Sequence, residues 1–261
     1  MNPNILRYED YQPKATYDAE VIVVGTGAGG AVVGAELAEA GFDVLMVEEG
    51  GHHPTEAFDP RLSTALPHLY RDAGATMILG EPSIPFAEGR CVGGSTVING
   101  AMTYRPSERI LEGWARHTGS MELSPKSLEF AFERVESRIH AKPQAEASIG
   151  GDNRVIRQGA ERLGWRYSEN LRNQDHCVGA NACITGCPTG AKQSTLVSYM
   201  PRALSHGARC LTEVRVERLL IEKGRCVGVV GRAMNPETRR RDKRVTIRAR
   251  AVVVAGGAVQ T

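Results

Sequence analysis

A glycine turn held between a buried strand and a helix limits the folds open to this chain more than any other feature. Residues 19–24 (AEVIVV) read as an apolar, β-branched strand of the kind covered on both faces in a parallel sheet. They run into Gly25-Thr-Gly27-Ala-Gly29-Gly30, a G-x-G-x-x-G in the strand-to-helix setting that the motif requires. Residues 31–40 read as a helix with Val32, Val33, Leu37 and Ala40 near one face, ended by Gly41. Residues 43–47 (DVLMV) supply a second strand and complete a compact βαβ unit. In such a unit the first glycine permits the tight turn, the second leaves no Cβ in the way of a pyrophosphate, and the third lets helix and sheet pack closely. The helix N-terminus offers unpaired N–H groups and a partial positive charge to the phosphates. Gly25, Gly27, Gly29 and Gly30 are therefore candidate cofactor-binding residues. Glu48 directly follows the second strand, at the distance expected of an acid that accepts a ribose hydroxyl, and Glu49 beside it is the alternative. The motif does not separate FAD from NAD, because both carry an ADP moiety.

Composition narrows the class further. The chain has 261 residues, 41% apolar and 24% charged, with 29 glycines gathered mostly in a few clusters, which points to backbone–ligand contact. A net charge of +2 calls for no nucleic-acid or membrane-surface partner. No apolar run reaches the roughly 18 residues that span a bilayer, and the first 20 residues lack the pattern of a secretory signal. Cytoplasm is the default location, with periplasmic or membrane-associated placement through a partner as the alternative. Six cysteines in such a chain do not imply a disulfide framework.

The expected fold class is α/β: a Rossmann-like FAD-binding domain with inserted helical and loop segments and a β-rich C-terminal part. Residues 1–18 read as a loosely packed polar arm and 52–88 as mostly loop. Helices are expected over 107–139, with a start at Leu123-Ser124-Pro125, over 153–164, and over 194–206 with a weak point at Met200-Pro201. From 211 the pattern is β, and the charge run 239–244 (RRRDKR) reads as a solvated hairpin tip. This gives an FAD-binding domain over 1–140, an inserted segment with a cysteine-rich loop over 141–190, and a return to the first domain over 191–261.

A second glycine cluster spans Gly89 to Gly100 (GRCVGGSTVING), and adjacent glycines followed by Ser-Thr suit close backbone approach to a flat ligand with polar edges. Read alone it is equally a glycine-rich hairpin loop. Together with VIVVGTGAGGAVVGAELAEAGFDVLMVEEGG at 21–51, GRCVGGSTVINGAMTYRP at 89–106, the Trp114 region and VVVAGGAVQT at 252–261, it resembles the glucose–methanol–choline (GMC) oxidoreductase family over nearly the whole chain. The resemblance implies FAD, with Gly25, Gly27, Gly30 and Glu48 at the ADP end. It places Arg90, Gly93, Gly94, Ser95, Asn99 and Gly100 along the flavin and phosphates, and Val214 against the adenine. Ser95 and Thr96 stand where some members carry a flavin-linking histidine, so non-covalent FAD is expected. The implied reaction is oxidation of an alcohol or sugar CH–OH group by hydride transfer to flavin, in the direction of a dehydrogenase. The family's catalytic histidine lies beyond the matched segment, so no catalytic residue is assigned, the substrate domain is largely missing, and the chain alone is expected to be inactive. The partners implied are an alcohol or sugar, the missing C-terminal half, and a cytochrome or other electron acceptor. The alternatives are a non-catalytic flavin-binding remnant and one half of a split enzyme.

Cys177, Cys183 and Cys187 lie in HCVGANACITGCPTGAK with Cys-x5-Cys-x3-Cys spacing. Thiolates are the usual ligands of iron–sulfur clusters, and a Pro after the last Cys recurs in such sites. The segment resembles the cluster loop of the three-iron sugar dehydrogenases of the same family, which implies a 3Fe-4S cluster. Plain or disulfide-linked cysteines in a surface loop are the competing reading. His52 and His53 read as solvated or capping loop residues.

Overall fold

The apolar run ahead of the first glycine turn belongs to a longer strand than its composition marks out. In the computed structural model, which describes residues 2–261, strand β1 (Ile5–Leu6) precedes β2 (Lys14–Val24), helix α1 (Ala28–Glu39) and β3 (Val44–Val47). Helix α2 (Leu62–Leu69), the hairpin β4 (Thr76–Ile78) with β5 (Ile84–Phe86), and the short α3 (Ser95–Ile98) follow. Next come α4 (Glu108–Thr118), α5 (Pro125–Arg138), β6 (Ala141–Pro143), α6 (Gly151–Arg162) and β7 (Leu171–Asn173). The chain closes with α7 (Thr195–Ser198), α8 (Met200–Ser205), β8 (Arg209–Leu211), β9 (Val214–Glu222), β10 (Arg225–Met234) and β11 (Arg241–Val254).

Two units emerge. The first holds residues 2–99, 182–190 and 194–261; the second holds 100–181 with 191–193. The excursion thus starts at Gly100, ahead of the boundary at 141 drawn from the sequence. The first unit is built on one sheet in the order β1-β8-β3-β2-β11-β10-β9, parallel from β1 to β11 and antiparallel through β10 and β9. This is the Rossmann-like α/β architecture with a β-rich end. Val44, Leu45 and Met46 have no exposure at all, as expected of a strand covered on both faces.

Several local expectations need correction. The arm 1–18 is built into the sheet: β1 pairs with β8, β2 starts at Lys14, and Tyr11 is buried. The Tyr11 hydroxyl donates to the carbonyls of Leu6 (2.9 Å) and Thr212 (2.8 Å), an anchor that a polar composition hides. Helix α1 turns Ala31, Gly34, Ala35 and Ala38 inward rather than its valines. The reason is close approach to the sheet: a Cβ on Gly34 would stand 2.8 Å from the Met46 side chain. The stretch 52–88 holds α2 and a hairpin; Pro67 inside α2 disguised the helix, although Ala65 and Leu69 bury one face. Most of the charge run 239–244 is strand rather than hairpin tip, since β11 begins at Arg241 and only 239–240 precede it.

The second unit contains α4, α5, α6 and the β6–β7 pair. Ser124 caps α5, its hydroxyl oxygen accepting from Ser127 N–H (3.3 Å) ahead of Pro125, which realises the expected helix start. Helix α4 buries Leu111 and Ala115, whereas α5 and α6 bury no residue.

Candidate cofactor cleft

Strands β2, β3 and β11 end in register, with Val24 opposite both Val47 and Val254. Beyond such carboxyl ends an open α/β sheet leaves the crevice in which ligands bind. Here it is a cleft of about 670 Å³ within the first unit, bordered by the first glycine turn, Glu48 and Glu49, part of the second glycine cluster, Val214–Val216 and the closing residues Ala255–Thr261.

Each glycine of the turn has its own reason. Gly25 has φ +98°, and a Cβ there would meet the Ala255 carbonyl oxygen at 2.4 Å. A Cβ on Gly30 would meet the Gly25 oxygen at 2.1 Å, so the third glycine seats the helix. Gly27 is different: the nearest atom to a Cβ there is the Gly94 Cα at 3.9 Å, so a side chain would fill open space beside the cleft rather than strike the protein. Gly94, at φ +52°, packs against it: a Cβ on Gly94 would come 2.9 Å from the Gly27 Cα, so the two clusters meet main chain to main chain. The first main-chain bond of α1 runs from Ala31 N–H to Gly27 O (3.0 Å), which leaves the N–H groups ahead of it at the helix end without an acceptor in the helix. They are oriented to meet an anion.

Glu48 is 6% exposed. Its Oε2 accepts from the Thr26 N–H (3.1 Å) and hydroxyl (2.6 Å), and its Oε1 from Gly50 N–H (2.9 Å). Burial pushes its carboxyl above the usual range, opposed by these three donors. Glu49 is held instead by Arg71 (3.0 Å) and Arg215 (3.6 Å), and Arg71 also reaches Glu88 (3.2 Å). Glu48 is thus the acid fixed to the glycine turn, and Glu49 belongs to a charged rim.

Of the residues singled out by sequence, Gly25, Gly27, Gly29, Glu48, Gly94, Ser95 and Val214 line the cleft. Gly30, Arg90, Gly93 and Asn99 do not line it, and Gly100 falls in the second unit. Arg90 is buried, its N–H bonded to Leu69 O (2.7 Å), and burial holds its guanidinium below its ordinary pKa. Gly93 donates its N–H to the Thr26 hydroxyl (3.1 Å), a support role. Sequence reasoning missed Arg71, Thr26, Thr96 and Thr195. A hydroxyl between the first two glycines was visible in the motif; Thr195 carried no local signal.

The cysteines are divided between the units: Cys177 in the second, Cys183 and Cys187 in the first. All six cysteines are thiols. Among the described residues no group of three or more His, Cys, Asp or Glu side chains is placed to hold a metal ion, so the geometry lends the 3Fe-4S expectation no support. No histidine lines the cleft. His53 is only partly solvated: it is half-buried beside His68, and burial pushes it down to about 4. Among the described residues no helix is long and apolar enough to cross a membrane.

Comparison with known proteins follows the same lines. The sequence model for the GMC oxidoreductase family matches residues 66–261, and that for an NAD(P)-binding Rossmann-like domain matches residues 23–79. An uncharacterised GMC-type oxidoreductase of Sinorhizobium fredii is 38% identical over 94% of this chain and 48% of its own length. A long-chain-alcohol oxidase of Arabidopsis thaliana is 29% identical over 98% of this chain and 35% of its own. Among solved structures, a pyridoxine 4-oxidase from Mesorbium loti superposes with TM-score 0.67 at 16% identity, over 93% of this chain and 50% of that one. A fungal aryl-alcohol oxidase gives TM-score 0.65 at 17% identity, over 94% and 46%. The chain therefore spans half or less of the length of these relatives, and the structural likenesses speak for the fold.

Proposed function

Because the chain belongs to the GMC oxidoreductase family, we propose that its cleft holds FAD non-covalently and that the chain is the cofactor-holding half of an enzyme oxidising CH–OH groups. The observation that carries this is the meeting of the two glycine clusters. Gly27 and Gly94 face each other with no side chain between them, at the end of a helix whose first N–H groups are unspent. We assign the pyrophosphate to the cleft beside this meeting point, where neither glycine presents a side chain, and the second cluster with the closing residues provides a further border for a flat ring, which a simple NAD-binding unit does not need.

When bound, the flavin accepts the hydride, and the protein supplies position and electrostatics. Gly25 and Gly27 let the main chain approach the phosphates, and α1 directs its N–H groups at their charge. Glu48, fixed by Thr26 and Gly50, stands at the ribose end, and Val214 borders the adenine end. With no histidine at the cleft, the proton acceptor for the alcohol is assigned to the portion of the relatives that this chain does not span. The dehydrogenase reading rested on the cysteine cluster; with that cluster unsupported, we take dioxygen as the electron acceptor, a reading supported by the name of the 29% identical long-chain-alcohol oxidase.

The test is uptake of FAD by the purified chain. Bound flavin should appear in the visible spectrum, be released by acid, and leave NAD unable to compete; a chain that binds NAD and never flavin overturns the reading. Steady alcohol-dependent dye or oxygen reduction by residues 1–261 alone would overturn the assignment of the proton acceptor elsewhere.

A further inference from the structure

Resting on the flavin reading, we infer that Thr195 is a positioning residue for the cofactor: it latches the second glycine cluster onto the first and so holds the Gly27–Gly94 contact that borders the cleft. Thr195 opens α7 and is 5% exposed. The cap position of α7 belongs to Ser194, so the Thr195 hydroxyl is not needed at its own helix end. This hydroxyl points to other segments instead, within 3.1 Å of the Thr26 carbonyl oxygen and 3.2 Å of the Gly93 carbonyl oxygen. The Thr195 N–H donates to the Thr96 hydroxyl oxygen (3.0 Å), whose own proton goes to Gly93 O (2.6 Å). Gly93 N–H donates to the Thr26 hydroxyl (3.1 Å), whose proton goes to Glu48 (2.6 Å).

This is a continuous chain of donors and acceptors from α7 through both glycine clusters to the ribose-side acid. Thr26 and Thr195 are buried and Thr96 is half-buried, and loss of the Thr195 hydroxyl would strand the buried Thr26 carbonyl. The fit is steric as well. A Cβ on Gly93 would come within 3.1 Å of the Leu196 Cβ and 3.2 Å of its nitrogen, so Gly93 is glycine partly because α7 is seated against it. The latch touches the two clusters where they meet, not the ligand. Its loss should loosen the Gly27–Gly94 contact before it unfolds the sheet.

The experiment is FAD titration of the full 261-residue chain, followed by flavin fluorescence, for wild type, Thr195→Val, Thr195→Ser and Met200→Ala. Thr195→Val keeps the shape and removes the donor; a buried hydrogen bond of this kind predicts FAD binding weakened about tenfold or more. Thr195→Ser restores the hydroxyl and should stay within about twofold of wild type. Met200→Ala removes a buried side chain of the neighbouring α8, and should lower the melting temperature without moving FAD affinity. Thr96→Val, which takes the acceptor from Thr195 N–H, should reproduce the weakening if Thr195→Val fails to fold. Wild-type affinity in Thr195→Val, or equal weakening in Thr195→Ser, overturns the inference. A wild-type chain that takes up no FAD overturns the flavin reading, and the latch with it.

Discussion

Leu45 of the first unit is wholly removed from water, whereas Phe130 of the second is 72% exposed, and the contrast runs through both units. In the first, β2, β3 and α1 bury small and branched side chains against each other, and even polar Thr26 and Glu48 are enclosed with their bonds satisfied. In the second, α5 and α6 are held by main-chain bonds, a cap and surface ion pairs such as Arg105 with Glu129 and Glu136, while Phe130, Ile156 and Trp165 face solvent. Exposed pairs of this kind contribute little, at most about 1 kcal/mol each. Amphipathic periodicity therefore produced helices in both places, but only one of them became a core. The cleft lies in that one, where its turns can be held to the tolerance that a ligand needs.

The largest effect that would break this comparison is a core truncation set beside a surface one. Leu45→Ala should destabilise the chain by about 3 kcal/mol, whereas Phe130→Ala should stay within about 0.5 kcal/mol, both read by denaturant melts. A comparable loss at Phe130 would mean that the second unit has a core not visible here. Next is Gly27→Val. A Cβ there meets no protein atom closer than 3.9 Å, so the melting temperature should hold while FAD affinity falls about a hundredfold. Equal loss of both would make Gly27 a folding glycine like Gly25.

A smaller effect comes from His53. Burial pushes it down to about 4, while an unfolded histidine takes up its proton near 6.5. The folded state gains its full advantage above pH 6.5 and loses it as the pH falls toward 4. After allowance for partial exposure, about 1–2 kcal/mol should separate pH 7 from pH 5. His53→Asn should flatten that dependence, and an unchanged pH profile would assign the acid loss to other groups. The smallest is Cys177→Ser in the thinly packed unit, expected within about 0.5 kcal/mol with iron-free protein before and after. About three irons per chain would reinstate the cluster.

Glycine turns, capped helix starts and β-branched runs were legible because their causes are local: a φ that only glycine holds easily, a side chain within three residues of its N–H, a period of two or 3.6. The strand-turn-helix of residues 19–51, Glu48 after β3, the Ser124 cap and the α/β class follow from that alone. The rest depended on residues far apart in the chain. Tyr11 anchors the N-terminal arm through a carbonyl 201 positions away, and Thr195 reaches Thr26 across 169. Which face of α1 turned inward was decided by how closely Met46 lets the helix approach, not by which side chains were most apolar. Sequence determined that two glycine clusters would exist and what each could admit. Only the packing of α7 and the sheet decided that they face each other, because a hydrogen bond or steric fit between distant segments leaves no mark on either one alone.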